Sequence, residues 1–197
     1  MDLGLIYKDV KEISPLILKH KIPLLIYKEL TKCLKHTEKI KKNQLSCLLE
    51  HRNAGKNSYQ VSLPFNLIEG SFLQAYIIHL GEYYRCKYEN LSFEQVSRTV
   101  LMRKNKDHFD SYDLWVNYTK KGSKNNWHSH GGSLSGVIYY TDCKGSPTCF
   151  ESGFSYKGKK GEIIIFPNNF KHKVNTHTNK SERITLSYNL YYKTSWI

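Results

Sequence analysis

The spacing of apolar residues changes once along the chain, close to Tyr112. Before that point apolar side chains recur at helical intervals, and after it they alternate as they do in half-buried strands. The strand-like runs are 113–119, 134–141, 147–150, 162–166, 172–176 and 183–192. Helices followed by a run of strands predict an α+β, mainly β domain whose sheets form a sandwich or barrel.

The helical part has two predicted helices. Pro23 suits the first turn of a helix, and leucines at helical spacing continue the pattern to Leu34. Ser71 is a predicted N-cap for a helix over residues 71–88. A chain of 197 residues supports one substantial core. We therefore expect a single domain over 1–197, in which 1–110 is a mostly helical support region and 111–197 is the core with the site.

The charge of the chain is strongly positive, at +13. Residues 119–197 contain twelve Lys or Arg against four Asp or Glu. Such a field attracts nucleic acid or small anions, although a lysine-rich composition throughout the chain explains it equally well. Five cysteines without close pairing are typical of a reduced intracellular protein. With no apolar run long enough for a bilayer and no secretory signal, we expect a cytoplasmic protein without membrane contact.

Three histidines form a candidate metal site. His128 and His130 are one residue apart, so on an extended segment both rings leave the same face. His172 follows a second apolar run, 162–167, that reads as a buried strand. Three such ligands cover one face of a metal ion and leave its other positions open for substrate and oxygen. By itself, a histidine pair on a strand is weak evidence for a metal.

The order of several features strengthens that interpretation. Tyr118 precedes the histidine pair, and Arg183 with Thr185 follows His172. This order, over roughly 112–192, resembles the iron(II)- and 2-oxoglutarate-dependent oxygenases, and most closely their small bacterial and viral members related to prolyl hydroxylases. The resemblance implies a double-stranded β-helix, or jelly roll, with N-terminal helices packed on the sheet. It also implies Fe(II), 2-oxoglutarate and O2 as cofactors.

The same resemblance assigns roles to individual residues. His128 and His172 match the family's metal histidines. Arg183 and Thr185 match the pair that binds the far carboxylate of 2-oxoglutarate, for which a planar, permanently charged guanidinium is well suited. Tyr118 matches a tyrosine that lines the cosubstrate pocket. The implied reaction converts 2-oxoglutarate to succinate and carbon dioxide while a C–H bond of the substrate is hydroxylated.

His130 departs from the family pattern, because most members carry Asp or Glu at this place. We expect His130 to be the third ligand of an all-histidine site. Two alternatives are a position outside the ligand shell, with water or an acid such as Glu151 completing the site, and a weak, inactive metal site. An all-histidine site is one unit more positive than the usual one, which favours the dianionic 2-oxo acid.

Several functions remain compatible with the sequence. A peptide, protein or amino acid is the default substrate that the resemblance implies. The basic charge favours the same chemistry on nucleic acid, but no base-stacking lid is visible. A non-enzymatic jelly-roll metal-binding module and a dioxygenase with several histidines and no need of Arg183 are further alternatives. Trp127, Tyr139 and Tyr140 are candidates for pocket walls or for core residues.

Overall fold

The structure is a computed structural model that describes residues 9–43, 58–103 and 111–193. Its strands form two antiparallel sheets, one of eight strands and one of four. The strands are β1 (Lys11–Ser14), β2 (Ile17–Lys21), β3 (Ser58–Pro64), β4 (Val100–Leu101), β5 (Ser111–Thr119), β6 (Asn125–His128), β7 (Leu134–Tyr139), β8 (Thr148–Phe150), β9 (Ser155–Tyr156), β10 (Glu162–Pro167), β11 (His172–Val174) and β12 (Arg183–Tyr192). Each predicted strand run agrees with one of these strands to within two residues at either end.

The larger sheet has the strand order β1-β2-β10-β7-β12-β5-β3, and β4 pairs with β12 beside this path. The smaller sheet has the order β6-β11-β8-β9. The chain passes back and forth between the two sheets from β5 to β12, which is the connectivity of a jelly roll. Apolar side chains of both sheets meet between them, among them Phe150 of β8, Phe166 of β10 and Tyr139 of β7.

The helices cover the outer face of the larger sheet. They are α1 (Leu24–Asn43), α2 (Phe65–Ile68), α3 (Phe72–Glu89) and α4 (Phe93–Val96). Buried residues of α1 and α3, such as Leu30 and Ile77, share one core with Leu186 and Tyr188 of β12. Burial of this apolar area is the main force that holds the helices on the sheet. The predicted fold, a mainly β jelly roll with N-terminal helices packed on the sheet, is confirmed.

The helix predictions are correct in position and differ in length. Ser71 caps α3, since its Oγ accepts a hydrogen bond from the Gln74 backbone N–H (3.1 Å). The first helix begins after Pro23, as expected, but continues through the charged segment to Asn43. Thr37 lies on the buried side of that extension, while Lys35 and Lys39 lie on its exposed side. None of the helices among the described residues is both long and apolar enough to cross a membrane.

The N-terminal half also contains strands, so the expectation of a mostly helical support region is incomplete. β2 extends the larger sheet beyond β10, and β3 forms its opposite side next to β5. The partners of β2 in β10 lie 141 to 147 residues away, and those of β3 in β5 lie 47 to 61 residues away. Local hydrophobic spacing carries little information about such pairings.

Candidate active site

Three histidine side chains come together where β6 ends and β11 begins. His128 is the last residue of β6 and is the register partner of His172, the first residue of β11. His130 lies in the turn after β6 and not on the strand, so the expected alternation along one strand is wrong in this detail. One ligand nitrogen of each ring lies within 4.8 Å of the others. This is the only group of three or more His, Cys, Asp or Glu side chains with such spacing in residues 9–43, 58–103 and 111–193.

Backbone carbonyls fix the orientation of two of the rings. The Nδ1 atom of His128 lies 2.7 Å from the carbonyl oxygen of Asn126, and that of His172 lies 2.9 Å from the carbonyl oxygen of Phe170. Because a carbonyl only accepts, each Nδ1 carries the proton, and each Nε2 is the unprotonated nitrogen that can bind a metal. Metal-binding histidines in proteins are held in this way.

The His130 ring brings a third nitrogen atom to the cluster. The Nε2 atoms of His130 and His172 lie 3.3 Å apart. Two nitrogens bound at about 2.1 Å to adjacent positions of one ion are separated by about 3 Å. The spacing of this pair therefore suits a shared metal ion.

The environment of His172 keeps its ring neutral. The pKa of His172 is lowered to about 4, mainly by burial and also by the nearby His128, while the hydrogen bond to the Phe170 carbonyl acts in the opposite direction. A neutral imidazole is the form that binds a metal. The rings of Phe150 and Phe166 pack against His172 at 5.9 and 5.1 Å and form a dry wall beside it.

Arg183 is a buried cation inside the barrel, with 3% of its surface exposed. Its Nη1 donates to Thr185 Oγ1 (3.1 Å) and its Nη2 to Thr148 Oγ1 (3.4 Å). Its buried Nε has no hydrogen-bond partner among residues 9–43, 58–103 and 111–193. Within the described part of the chain, no carboxylate lies within 4.0 Å of the guanidinium. A buried charge without a counterion is costly, so this arrangement calls for an anion.

Strand β8 links the two features. Phe150 contacts His172, and Thr148, two residues earlier on the same face, contacts Arg183. Residues at this spacing in a strand are about 6.6 Å apart. His172 and Arg183 therefore contact neighbouring positions on the inner face of β8 and border the same interior.

Thr148 and Tyr139 are residues of this interior to which the sequence assigned no specific contact. The Tyr139 hydroxyl lies 2.9 Å from Thr148 Oγ1, and its ring lies 5.9 Å from the Arg183 guanidinium carbon. Burial raises the pKa of Tyr139, so its hydroxyl stays protonated. In the sequence, the spacing of Thr148 and Phe150 indicates only that both residues lie on the same face of a strand. The pairing of β8 with β11 shows that this face borders the site.

Tyr118 is not brought to this site. Its hydroxyl lies 2.7 Å from Thr37 Oγ1 of α1, on the helix-covered face of the larger sheet, and burial raises its pKa to about 12. The neighbouring Asn117 faces the interior instead and donates from Nδ2 to Ser187 Oγ (2.9 Å). The expected cosubstrate contact of Tyr118 therefore has no support in the structure.

Other candidate residues lie outside the site. Glu151, considered as an alternative ligand, is exposed and pairs with Lys171 at 3.6 Å. Trp127 is 48% exposed with Lys173 over its ring, and Tyr140 stacks on Tyr27 of α1. Of the three aromatic candidates for pocket walls, only Tyr139 faces the interior near Arg183.

Comparison with known proteins gives structural neighbours only. No protein-family model and no curated protein matches the sequence. A prolyl-4-hydroxylase from Pseudomonas putida is 10% identical, with a TM-score of 0.56 over 91% of this chain and 94% of the other. The non-heme alpha-ketoglutarate-dependent epimerase SnoN from nogalamycin biosynthesis is 11% identical, with a TM-score of 0.58 over 99% and 83%.

A third neighbour contains bound ligands. HygX from Streptomyces hygroscopicus, with nickel, 2-oxoglutarate and hygromycin B bound, is 9% identical, with a TM-score of 0.55 over 98% of this chain and 88% of the other. At such identities the likeness concerns the fold. The chain therefore has the jelly-roll fold of the non-heme, 2-oxoglutarate-dependent enzymes that its sequence resembles.

Proposed function

We propose that the chain is a single-domain iron(II)- and 2-oxoglutarate-dependent dioxygenase that hydroxylates a C–H bond. The observation that carries the proposal is the pairing, in one interior, of three converging histidines with a buried arginine that lacks a counterion. If these residues only stabilised the fold, the protein would not need both the histidine cluster and the buried Arg183. Burying an uncompensated guanidinium lowers stability, and such a cost is often found where a site must bind an anion.

The donor set fits the implied metal. Fe(II) would be held by His128, His130 and His172, each through its Nε2 atom. With Fe(II), O2 and 2-oxoglutarate bound, the cofactors supply the oxidising chemistry, and 2-oxoglutarate is converted to succinate and carbon dioxide. The protein would contribute three histidine nitrogens, and two of the rings are already oriented by backbone carbonyls.

The proposed role of Arg183 is to bind the far carboxylate of 2-oxoglutarate, with Thr185 and Thr148 holding the guanidinium in place. A charge-assisted, bidentate contact would satisfy the unpaired Nε. Because the carboxylate would be bound at the closed side of the interior, the 2-oxo end would point towards the histidines. Phe150, Phe166 and Trp115 line the histidines and would exclude water from the reacting groups.

Turnover without a substrate tests the enzyme class. The purified protein, loaded with Fe(II) under ascorbate, should convert 2-oxoglutarate to succinate slowly, and Arg183→Met should lose this activity. A matched control is Arg98→Met, which removes an exposed arginine that follows α4. Failure of 2-oxoglutarate to bind the metal-loaded protein in calorimetry, together with no succinate, would favour the metal-binding module instead.

The role of His130 has its own test. His130→Ala should lower Fe(II) affinity at least about tenfold, whereas His130→Asp should keep the metal, because carboxylate is also a suitable ligand. Metal content after dialysis measures both. Full retention of iron in His130→Ala would remove His130 from the ligand set.

For the substrate we propose a peptide, protein or amino acid, in line with the likeness to the Pseudomonas putida prolyl-4-hydroxylase. Succinate release that is stimulated by proline-containing peptides, with a mass increase of one oxygen in the peptide, would support this class. Stimulation only by oligonucleotides would replace it with nucleic acid.

A further inference from the structure

The loops at the two ends of the barrel differ in composition. Loops 120–124, 140–147, 157–161 and 175–182 lie at the end where Arg183 begins β12. They touch one another: the Gly122 N–H donates to the His177 carbonyl (2.8 Å), and the Cys143 N–H donates to the Gly158 carbonyl (2.8 Å). The Thr178 hydroxyl joins them to Gly145 (3.3 Å). These four loops therefore form one continuous surface.

This surface is strongly basic. Its loops contain eight lysines, all exposed, against two acids, Asp142 and Glu182. We call it the lysine face, made of Lys120, Lys121, Lys124, Lys144, Lys157, Lys159, Lys160 and Lys180. The opposite end, with loops 129–133, 151–154 and 168–171, contains one lysine and one glutamate, and these two pair with each other. The positive charge of this half of the chain is thus concentrated away from the histidines.

We propose that the lysine face binds the phosphodiester backbone of a nucleic acid, at the end of the barrel opposite the histidines. Ammonium groups on flexible stems, spread over adjoining loops, neutralise phosphates without requiring a fixed geometry. The absence of arginine from these loops fits contacts that position a backbone and do not read bases. Nucleic acid on this face is a docking partner and not the substrate, because the histidines open at the other end.

An anionic membrane is the other polyanion to consider. Interfacial anchors are typically Trp, Phe and Leu on one amphipathic surface. The exposed aromatic residues of the described chain, Phe72, Phe93 and Trp127, lie on α3, α4 and β6. Leu24 and Leu25, both exposed at the start of α1, lie beside the lysine face, since the nearby Ile22 bonds to Gly161. The aromatic rings at this face, Tyr27, Tyr59 and Tyr140, are half-buried beneath Lys120 or Lys160 and do not project as membrane anchors. Charge without exposed aromatic anchors favours nucleic acid.

Binding of a fluorescein-labelled DNA duplex of about 20 base pairs tests the proposal on the full chain. Lys144→Glu/Lys159→Glu/Lys180→Glu should weaken binding at least about tenfold, and the slope of log K against log salt should fall by about 0.9 for each lost contact. The matched control is Lys11→Glu/Lys87→Glu/Lys193→Glu, which makes the same change in net charge at exposed positions on β1, on α3 and just after β12. This control should bind within about twofold of the wild type.

Each other outcome overturns the proposal. Equal losses in both triple variants would mean that net charge alone attracts DNA. No binding by the wild type at low salt would exclude the partner. Binding to phosphatidylserine vesicles that exceeds binding to DNA and is lost in Leu24→Ser/Leu25→Ser would identify a membrane. Because the measurement is binding, it is independent of the proposed oxygenase activity, and the lysine variants should leave succinate formation unchanged.

Discussion

The two faces of β12 are equally buried and chemically opposite. Ile184, Leu186, Tyr188 and Leu190 face the helices and belong to the main apolar core, whereas Arg183, Thr185, Ser187 and Asn189 face the barrel interior. The inner polar residues bond to one another and to neighbouring strands, as Asn189 does with Ser135 (2.8 Å). One strand thus stabilises the fold on one side and holds the site on the other. This separation predicts that the two kinds of damage can be separated by mutation.

The largest effect on stability should come from the outer face. Leu186→Ala removes a side chain with no exposed surface and leaves a cavity between β12 and the helices, so unfolding free energy should fall by about 2–5 kcal/mol. Denaturant unfolding followed by circular dichroism measures this. The remaining folded protein should bind 2-oxoglutarate with normal affinity. Loss of 2-oxoglutarate binding without loss of stability would contradict the separate roles of the two faces of β12.

The inner face of β12 should show the opposite effect, with activity lost and stability kept. Arg183→Met removes the buried cation, so succinate formation at limiting 2-oxoglutarate should fall about 100-fold or more. Stability should be unchanged or increased, because a desolvated charge with no carboxylate partner among the described residues is replaced by an apolar side chain. Activity and unfolding assays on the same preparation check both parts. A large loss of stability would indicate that Arg183 is mainly structural.

Acid should affect the interior and leave the outer face unaffected. The folded pKa of His172, about 4, lies below its unfolded value of 6.5, so the unfolded state binds the proton first. The metal-free protein should therefore lose roughly 3 kcal/mol of stability as the pH falls from 6.5 to 4. Above pH 6.5 this contribution should be constant. His172→Phe should flatten the profile in this window, and an unchanged profile would contradict the assignment.

The smallest effect concerns Tyr118, whose expected cosubstrate contact the structure does not support. Tyr118→Phe removes one hydrogen bond to Thr37, whose hydroxyl keeps its bond to the Leu34 carbonyl (2.9 Å), so the cost should be about 1 kcal/mol. The KM for 2-oxoglutarate should be unchanged. Asn117→Leu, on the inner face of the same strand, is the contrasting variant. A tenfold rise in KM for Tyr118→Phe alone would restore Tyr118 to the site.

The sequence carried local information reliably. The Ser71 cap and the helix that it starts depend on hydrogen bonds within one turn, and their position was predictable. The side of the sheet that Tyr118 faces was also predictable, because Leu114, Val116 and Tyr118 occupy alternate positions of β5 and all enter the apolar core. A motif match identifies a position in the sequence, but the alternation of side chains along the strand determines whether that residue faces the helices or the barrel interior.

Other features depended on contacts that are distant in sequence. β2 and β3 are defined by pairing with β10 and β5, and Thr148 becomes relevant only because β8 crosses the interior towards Arg183. His130 lies beyond the end of β6, and its ring reaches the cluster through the turn. Residue spacing alone did not contain these geometries.

The register pairing of His128 with His172 has a consequence for local stability. β6 is the outermost strand of the smaller sheet and pairs only with β11 among the described strands. An ion bound by both histidines would cross-link these strands, so that fraying of β6 would require release of the ion. Metal binding would therefore slow amide hydrogen exchange along β6. The availability of iron would then determine how well ordered β6, the strand that carries His128, is.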